Sequence, residues 1–284
     1  MQIASVRTPS GTEPAVVMPG RGAVLARDLL GRPAGDMMEL LAPQQLEKLA
    51  RATQHNTVAE LIADPSFGVP YTKPGKILGI GLNYGAHAGD LGAPLPRTSP
   101  ASFFKANHTI IGPGESIVVP AGIGKVTAEA ELGLIFGRDC YRVDEKHALD
   151  YVAGIVAILD QTAEAVLLEN PRFLTRVKNY PTFLSFGPVI ITMDELRDRF
   201  PDLDRLPVST IRNGAVERTD VVGGMTFSPA ELISFHSRVM PFHPGDILST
   251  GTPGAVAITG GDTVSCDLGG LSLLSNPVVD ESPA

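Results

Sequence analysis

Glu129 and Glu131 stand two residues apart in "KVTAEAELGLIFG", residues 125–137, where Ala130, Leu132, Leu134 and Phe136 alternate as on a strand with one face in a core. Residues two apart on a strand share a face, so both carboxylates project the same way, near enough to bind one ion. Without a cation, repulsion and desolvation oppose their ionisation. An isolated pair of this kind more often marks a solvated sheet edge. Asp160 adds a third acid at the end of "YVAGIVAIL" (151–159), a run apolar enough to be buried on both faces. A carboxylate there needs a partner, a helix to cap or a metal. Three acids with no neighbouring Cys or His ligand specify a hard, oxygen-loving cation, Mg²⁺ or Mn²⁺, completed by water.

Further candidates lie on Gly-rich segments. In "GIGLNYGAHAGDLGAPLP" (79–96), His87 and Asp90 are spaced to share one face of a helical turn. They read as a general base with its orienting carboxylate on a closing loop, or as a surface pair. The glycines resemble a dinucleotide loop only superficially, because Pro94, Pro96 and Pro100 forbid the long helix such a loop must open. Lys178, in "RVKNYPTFLSFGP", reads as a fixed positive charge for a developing oxyanion or as a solvated loop lysine. "PGDILSTGTPGAV" (244–256) offers backbone donors and the Thr252 hydroxyl, or a plain hairpin connection.

The elements that must position these residues are mostly short strands. From Lys76 onward they read as "KILGIGL", "SFFKA", "SIVVP", "AEAELGLIFG", "YVAGIVAIL", "FGPVIIT", "STIRNG", "DILSTG" and "DTVSCDL". Helices are marked near Asp144, over Met193–Phe200, and at Ser228, where an N-cap Ser, Pro229 at N1 and Glu231 at N3 coincide. The first 70 residues differ: strands in "QIASVR" and "PAVVMP", helical pattern in "MMELLAPQQLEKLARA", and a capping box from Thr57 to Glu60 leading into "LIAD". "DPSFGVPYTKPG" then breaks the pattern, so we divide the chain into a small N-terminal domain, 1–70, and a larger domain, 71–284.

Composition narrows the classes. The chain has 284 residues, enough for a substantial core, and its 30 Gly and 24 Pro favour a β-rich fold over a helical bundle. A net charge of −8 with no Lys/Arg stripe argues against nucleic acid as a partner. The longest apolar stretch is far below the ~20 residues of a spanning helix and the start has no signal-like apolar region, so we expect no membrane partner and a cytoplasmic protein. Two distant cysteines signal neither a disulfide framework nor a thiolate zinc site.

In this order, "GLNYGAH", "FFKANHTIIGPGESIVVP", "AEAELGLIFG", "YVAGIVAILD", "TFLSFGPVIIT", "RNG", "PAELISF" and "PGDILSTGTPGAV" resemble the fumarylacetoacetate hydrolase family over about residues 72–278. The resemblance implies an α+β, β-rich fold: a mixed β-sheet roll of the C-terminal type of that family, after a small N-terminal α+β domain. It also implies a homodimer. It assigns Mg²⁺ or Mn²⁺ to Glu129, Glu131 and Asp160, water activation to His87 with Asp90, and the family's lysine to Lys178. Tyr84, Lys105, Gly251 and Thr252 fall at substrate-binding positions. One departure stands out. Glu164 occupies the place where relatives often carry an Arg that grips a substrate carboxylate, which disfavours a second anionic group nearby unless Arg172 or Arg176 compensates.

The favoured reaction is hydrolytic cleavage of a carbon–carbon bond in a β-diketone or acylpyruvate-like small molecule, with the cation chelating the dicarbonyl and Lys178 facing the oxyanion. The runner-up is decarboxylation of a 2-oxo acid or enol–keto isomerisation on the same cation. A third reading, from another class, is ligand binding without turnover.

Overall fold

A computed structural model describes residues 1–55, 59–90, 92 and 94–282. Among these, twelve strands form one mixed sheet. Its spine runs from Gly22–Leu25 through Gly11–Met18, Gln2–Thr8, Leu184–Thr192, Val152–Thr162, Val126–Phe136, Ile247–Ser249 and Ile77–Gly81 to Ala101–Phe104. Most neighbours are antiparallel, but Ile247–Ser249 runs parallel to Ile77–Gly81. A second sheet of five strands orders Ala215–Val221, Pro207–Arg212, Thr263–Asp267, Leu273–Asp280 and Ile117–Val119. The expected strand-rich mixed fold is present.

The two central strands explain the puzzle of the paired glutamates. Every residue of Val126–Phe136 and of Val152–Thr162 is buried. One face of Val126–Phe136 carries Ala128, Ala130, Leu132, Leu134 and Phe136 into a large apolar core, as the alternation requires. The opposite face runs from Thr127 through Glu129, Glu131 and Gly133 and ends in Ile135, which joins a second apolar cluster with Ile158, Phe186 and Ile190. At Gly133 a Cβ would lie 2.5 Å from Ile158 Cδ1, so glycine makes room where the charged half of this face meets the apolar half.

Several expectations change. Asp160 does not end its strand; it lies within Val152–Thr162, and the antiparallel register sets it directly opposite Glu129. The N-terminal 70 residues share their sheet with the rest of the chain: Gln2–Thr8 pairs with Leu184–Thr192, and Ile3, Val16, Leu40 and Leu49 enter the same cluster as Ile158 and Ile190. The "MMELLAPQQLEKLARA" pattern splits into helices Met37–Leu40 and Pro43–His55, because Pro43 cannot continue the first helix but starts the second well. Thr57 of the expected capping box lies outside the described residues, and "LIAD" is not helical; Ile62 forms a bridge with Ala23. The helix near Asp144 is a 3₁₀ helix, Glu145–Tyr151, whereas Met193–Arg199 and Pro229–Val239 form as expected, the latter with its full capping box.

Strands Ala215–Val221 and Leu273–Asp280 have no clear sequence signal. The first is largely exposed and charged, and the second carries Pro277 in mid-strand. Among the described residues no helix is long and apolar enough to cross a membrane. Cys140 and Cys266 are buried free thiols.

Candidate metal centre and its cavity

Glu129, Glu131 and Asp160 bring one carboxylate oxygen each within 4.8 Å of one another. They are 5%, 1% and 1% exposed, which excludes the solvated-edge reading. Burying three carboxylates side by side is costly unless cations or hydrogen-bond donors meet them.

Donors arrive from three distant segments and from the Asp160 strand itself. Lys178, at the end of the short helix Leu174–Lys178, donates to Glu129 Oε2 at 2.9 Å, Asp160 Oδ2 at 2.7 Å and Thr162 Oγ1 at 2.6 Å. Thr162 passes its own hydrogen to Glu129 Oε1 at 2.8 Å. Lys105, just beyond Ala101–Phe104, donates to Asp160 Oδ1 at 2.5 Å and to the Gln161 carbonyl at 3.2 Å. On the third acid, Ser249 Oγ and the Gly251 amide meet Glu131 Oε2 at 2.5 and 2.9 Å. Gly251 has φ +94°, and a Cβ there would lie 2.9 Å from Asn83 Cβ, so this turn needs glycine. Asn83 fixes the turn by donating to the Thr250 and Phe227 carbonyls and accepting from the Phe227 amide.

Two lysines oppose three acids, so one negative charge is uncompensated when all are ionised. The consequences fall unevenly. Burial alone would raise Asp160, but Lys105 and Lys178 hold its carboxyl below the ordinary range. Glu131 has no lysine partner; burial, then the charge of Asp160, pushes it up to about 8. Burial also lowers Lys105 to about 8 against the opposing pull of Asp160. Lys178 goes the other way: Asp160 and Glu129 outweigh desolvation and raise it. The donor set fits a hard divalent cation, which would replace the proton on Glu131 and turn the excess of one negative charge into an excess of one positive charge. Glu129, Glu131 and Asp160 would hold it.

Glu129 and Glu131, with Thr162 and Lys178, form the floor of a cavity of about 410 Å³, and Asp160 lies behind that surface. His87, on the six-residue helix Gly85–Asp90, is 6% exposed and lines it, with Nδ1 unpaired among the described residues. Thr252 also lines it. Other expected contacts fall elsewhere. Asp90 does not orient His87; it is exposed and pairs with Arg218 at 3.4 Å. Tyr84 is wholly buried, its hydroxyl unpaired among the described residues, and lies outside the cavity lining. Lys105 and Gly251 likewise serve the carboxylates and do not line the cavity. Glu164 turns away to Lys125 at 2.9 Å, so its charge does not face the cavity. Arg176 pairs with Glu169 at 3.6 Å, and neither Arg172 nor Arg176 lines the cavity.

The sequence reading missed Thr162, Ser249 and Asn83. Thr162 was within reach, since it stands two residues after Asp160 on the same strand face. Nothing local marks the other two.

The model of the fumarylacetoacetate (FAA) hydrolase C-terminal region matches residues 76–279. A Burkholderia ambifaria protein, provisionally named a hydrolase, is 34% identical over 250 residues, covering 88% of this chain and 86% of its own. The solved 5-carboxymethyl-2-hydroxymuconate delta-isomerase of Mycobacterium smegmatis is 27% identical with a TM-score of 0.78 and full coverage of both chains. Maleylpyruvate hydrolase of Sphingobium sp. SYK-6 is 26% identical with a TM-score of 0.80, over 99% of this chain and 100% of its own.

Proposed function

This chain belongs to the fumarylacetoacetate hydrolase family, and from that premise we propose that it is a divalent-metal-dependent hydrolase that cleaves a carbon–carbon bond in an acylpyruvate-like or β-diketone substrate. The observation that carries the reading is the placement of His87 in the wall of a cavity floored by Glu129 and Glu131, which Asp160 completes as a group of three buried carboxylates. Glu129, Glu131 and Asp160 would hold a divalent cation, Mg²⁺ or Mn²⁺, which would supply Lewis-acid polarisation of a dicarbonyl.

His87 takes a proton from water as the hydroxyl adds to the distal carbonyl. The carbon–carbon bond then breaks, its electron pair going to the methylene carbon. The proton held on His87 returns to that carbon, giving a carboxylic acid and a methyl ketone. Lys178 acts through charge alone, because an ammonium has three N–H donors and all three are committed to Glu129, Asp160 and Thr162. Asp90 is left out of the reaction, since its carboxylate is held by Arg218.

The test is a screen of acylpyruvates, neutral 1,3-diketones and oxaloacetate with Mg²⁺ or Mn²⁺ in ¹⁸O-water. Hydrolysis puts one labelled oxygen into the new carboxylate. Consumption of substrate with no labelled new carboxylate would refute hydrolysis and support the second reading on the same floor: isomerisation, which the full-length match to an isomerase favours, or, where CO₂ is released, decarboxylation.

A further inference from the structure

Away from its acidic floor and the side chains of His87, Ser102 and Thr252, the cavity lining is apolar. Leu167, Leu168, Pro171 and Leu174, from the segment that carries Lys178, line it together with Phe103 and Ile80. Phe103 lies at the junction: its ring centroid is 4.6 Å from Lys178 Nζ. Gly79 makes the space for that ring, since a Cβ there would lie 2.4 Å from it. Leu168 is 65% exposed yet lines the cavity, so the apolar wall reaches the mouth. Among the described residues the lining contains one lysine and no arginine, and the donors of that lysine, Lys178, are spent on the floor. A carboxylate on the substrate's far end would lose its water with nothing cationic to meet it.

We infer that the arm of the substrate remote from the chelating oxygens is an uncharged alkyl or aryl group seated between Leu167, Leu168, Pro171, Leu174 and Phe103. This substrate class rests on the chelating 2-oxo or dicarbonyl head assigned above. It differs from the expectation drawn from Glu164, since the selectivity comes from apolar walls and not from repulsion by a carboxylate that turns toward Lys125.

The experiment separates binding from turnover. Affinities of 2-oxooctanoate and of its ω-carboxylate counterpart, 2-oxooctanedioate, are measured by calorimetry with Mn²⁺ present, together with shorter 2-oxo acids ending in methyl. We expect the methyl-ended acid to bind at least about tenfold more tightly than the diacid, and affinity to rise about fourfold per added methylene until the cavity is filled. Leu167→Arg and Leu174→Arg should each narrow the gap or reverse it. Equal or tighter binding of the diacid by the wild-type protein, or binding of neither, overturns the inference. The wild-type comparison stands even if a variant fails to fold. A methyl-ended preference without cleavage of the matching acylpyruvate would remove hydrolysis and leave this subsite in place.

Discussion

Glu131 shows how one residue couples protonation, metal and stability. Its carboxyl is raised from an ordinary 4.5 to about 8, first by burial and then by Asp160. Between those values the folded metal-free protein holds a proton that the unfolded chain does not. Its stability should therefore fall as pH rises from about 4.5 through about 8. A cation must displace the same proton, so metal affinity should climb by up to roughly tenfold per pH unit below about 8. Calorimetry in buffers of different ionisation heat should count about one proton released per metal bound near neutral pH. Glu131→Gln should abolish that release. A pH-independent affinity in the wild type would refute the assignment of this proton. His87 should separate cleanly from the acids. His87→Ala should keep its metal affinity while kcat falls roughly 10²–10⁴-fold, as for loss of a general base. Glu131→Ala should lose metal and activity together. Near-normal turnover of a cleaved substrate by His87→Ala would remove it from the reaction.

At the scale of elements, the site is two adjacent strands edged by turns and loops that are held by one another. Glu129 and Asp160 meet because the antiparallel register makes them partners. Glu131 is instead finished by a turn, in which Gly251 is left-handed and locked by Asn83. Gly251→Ala would strain that backbone and press a methyl group on Asn83, moving the amide and the Ser249 hydroxyl off Glu131. Metal affinity should weaken about 10–100-fold, as when groups supporting metal ligands are lost, with a modest loss of stability from the strained turn. Equal metal affinity in Gly251→Ala, read by metal titration, would show that the turn does not support the ligand.

The whole molecule ties its N-terminal segment to the strand behind the site. Gln2–Thr8 pairs with Leu184–Thr192, which in turn pairs with the Asp160 strand. Ile3, Leu40 and Leu49 are fully buried against that sheet. Removing residues 1–70 would open a sheet edge and uncover this cluster. We expect residues 71–284 alone to aggregate or to lose the cooperative transition of the full chain, as read by size-exclusion chromatography and calorimetry. A monodisperse fragment with unchanged Tm would show that the segment is dispensable.

What the sequence by itself determined is local. A period of two put Glu129 and Glu131 on one face of an apolar strand, and with Asp160 as a third acid beside an apolar run this pointed to a counter-charge. Ser228, Pro229 and Glu231 marked a helix start because a cap needs only adjacent residues. Asp160 and Lys178 were also singled out, each as a charge beside an apolar run. The tertiary structure decided everything that depended on where charges separated in sequence meet. Lys105 sits 55 residues from Asp160 and the Gly251 amide 120 from Glu131. Asp90 and Glu164 both read as site groups until Arg218 and Lys125 claimed them. Spacing along a chain fixes which face a side chain takes, but which charge it meets depends on sheet register and loop packing, and those are set by the burial of apolar surface over the whole molecule.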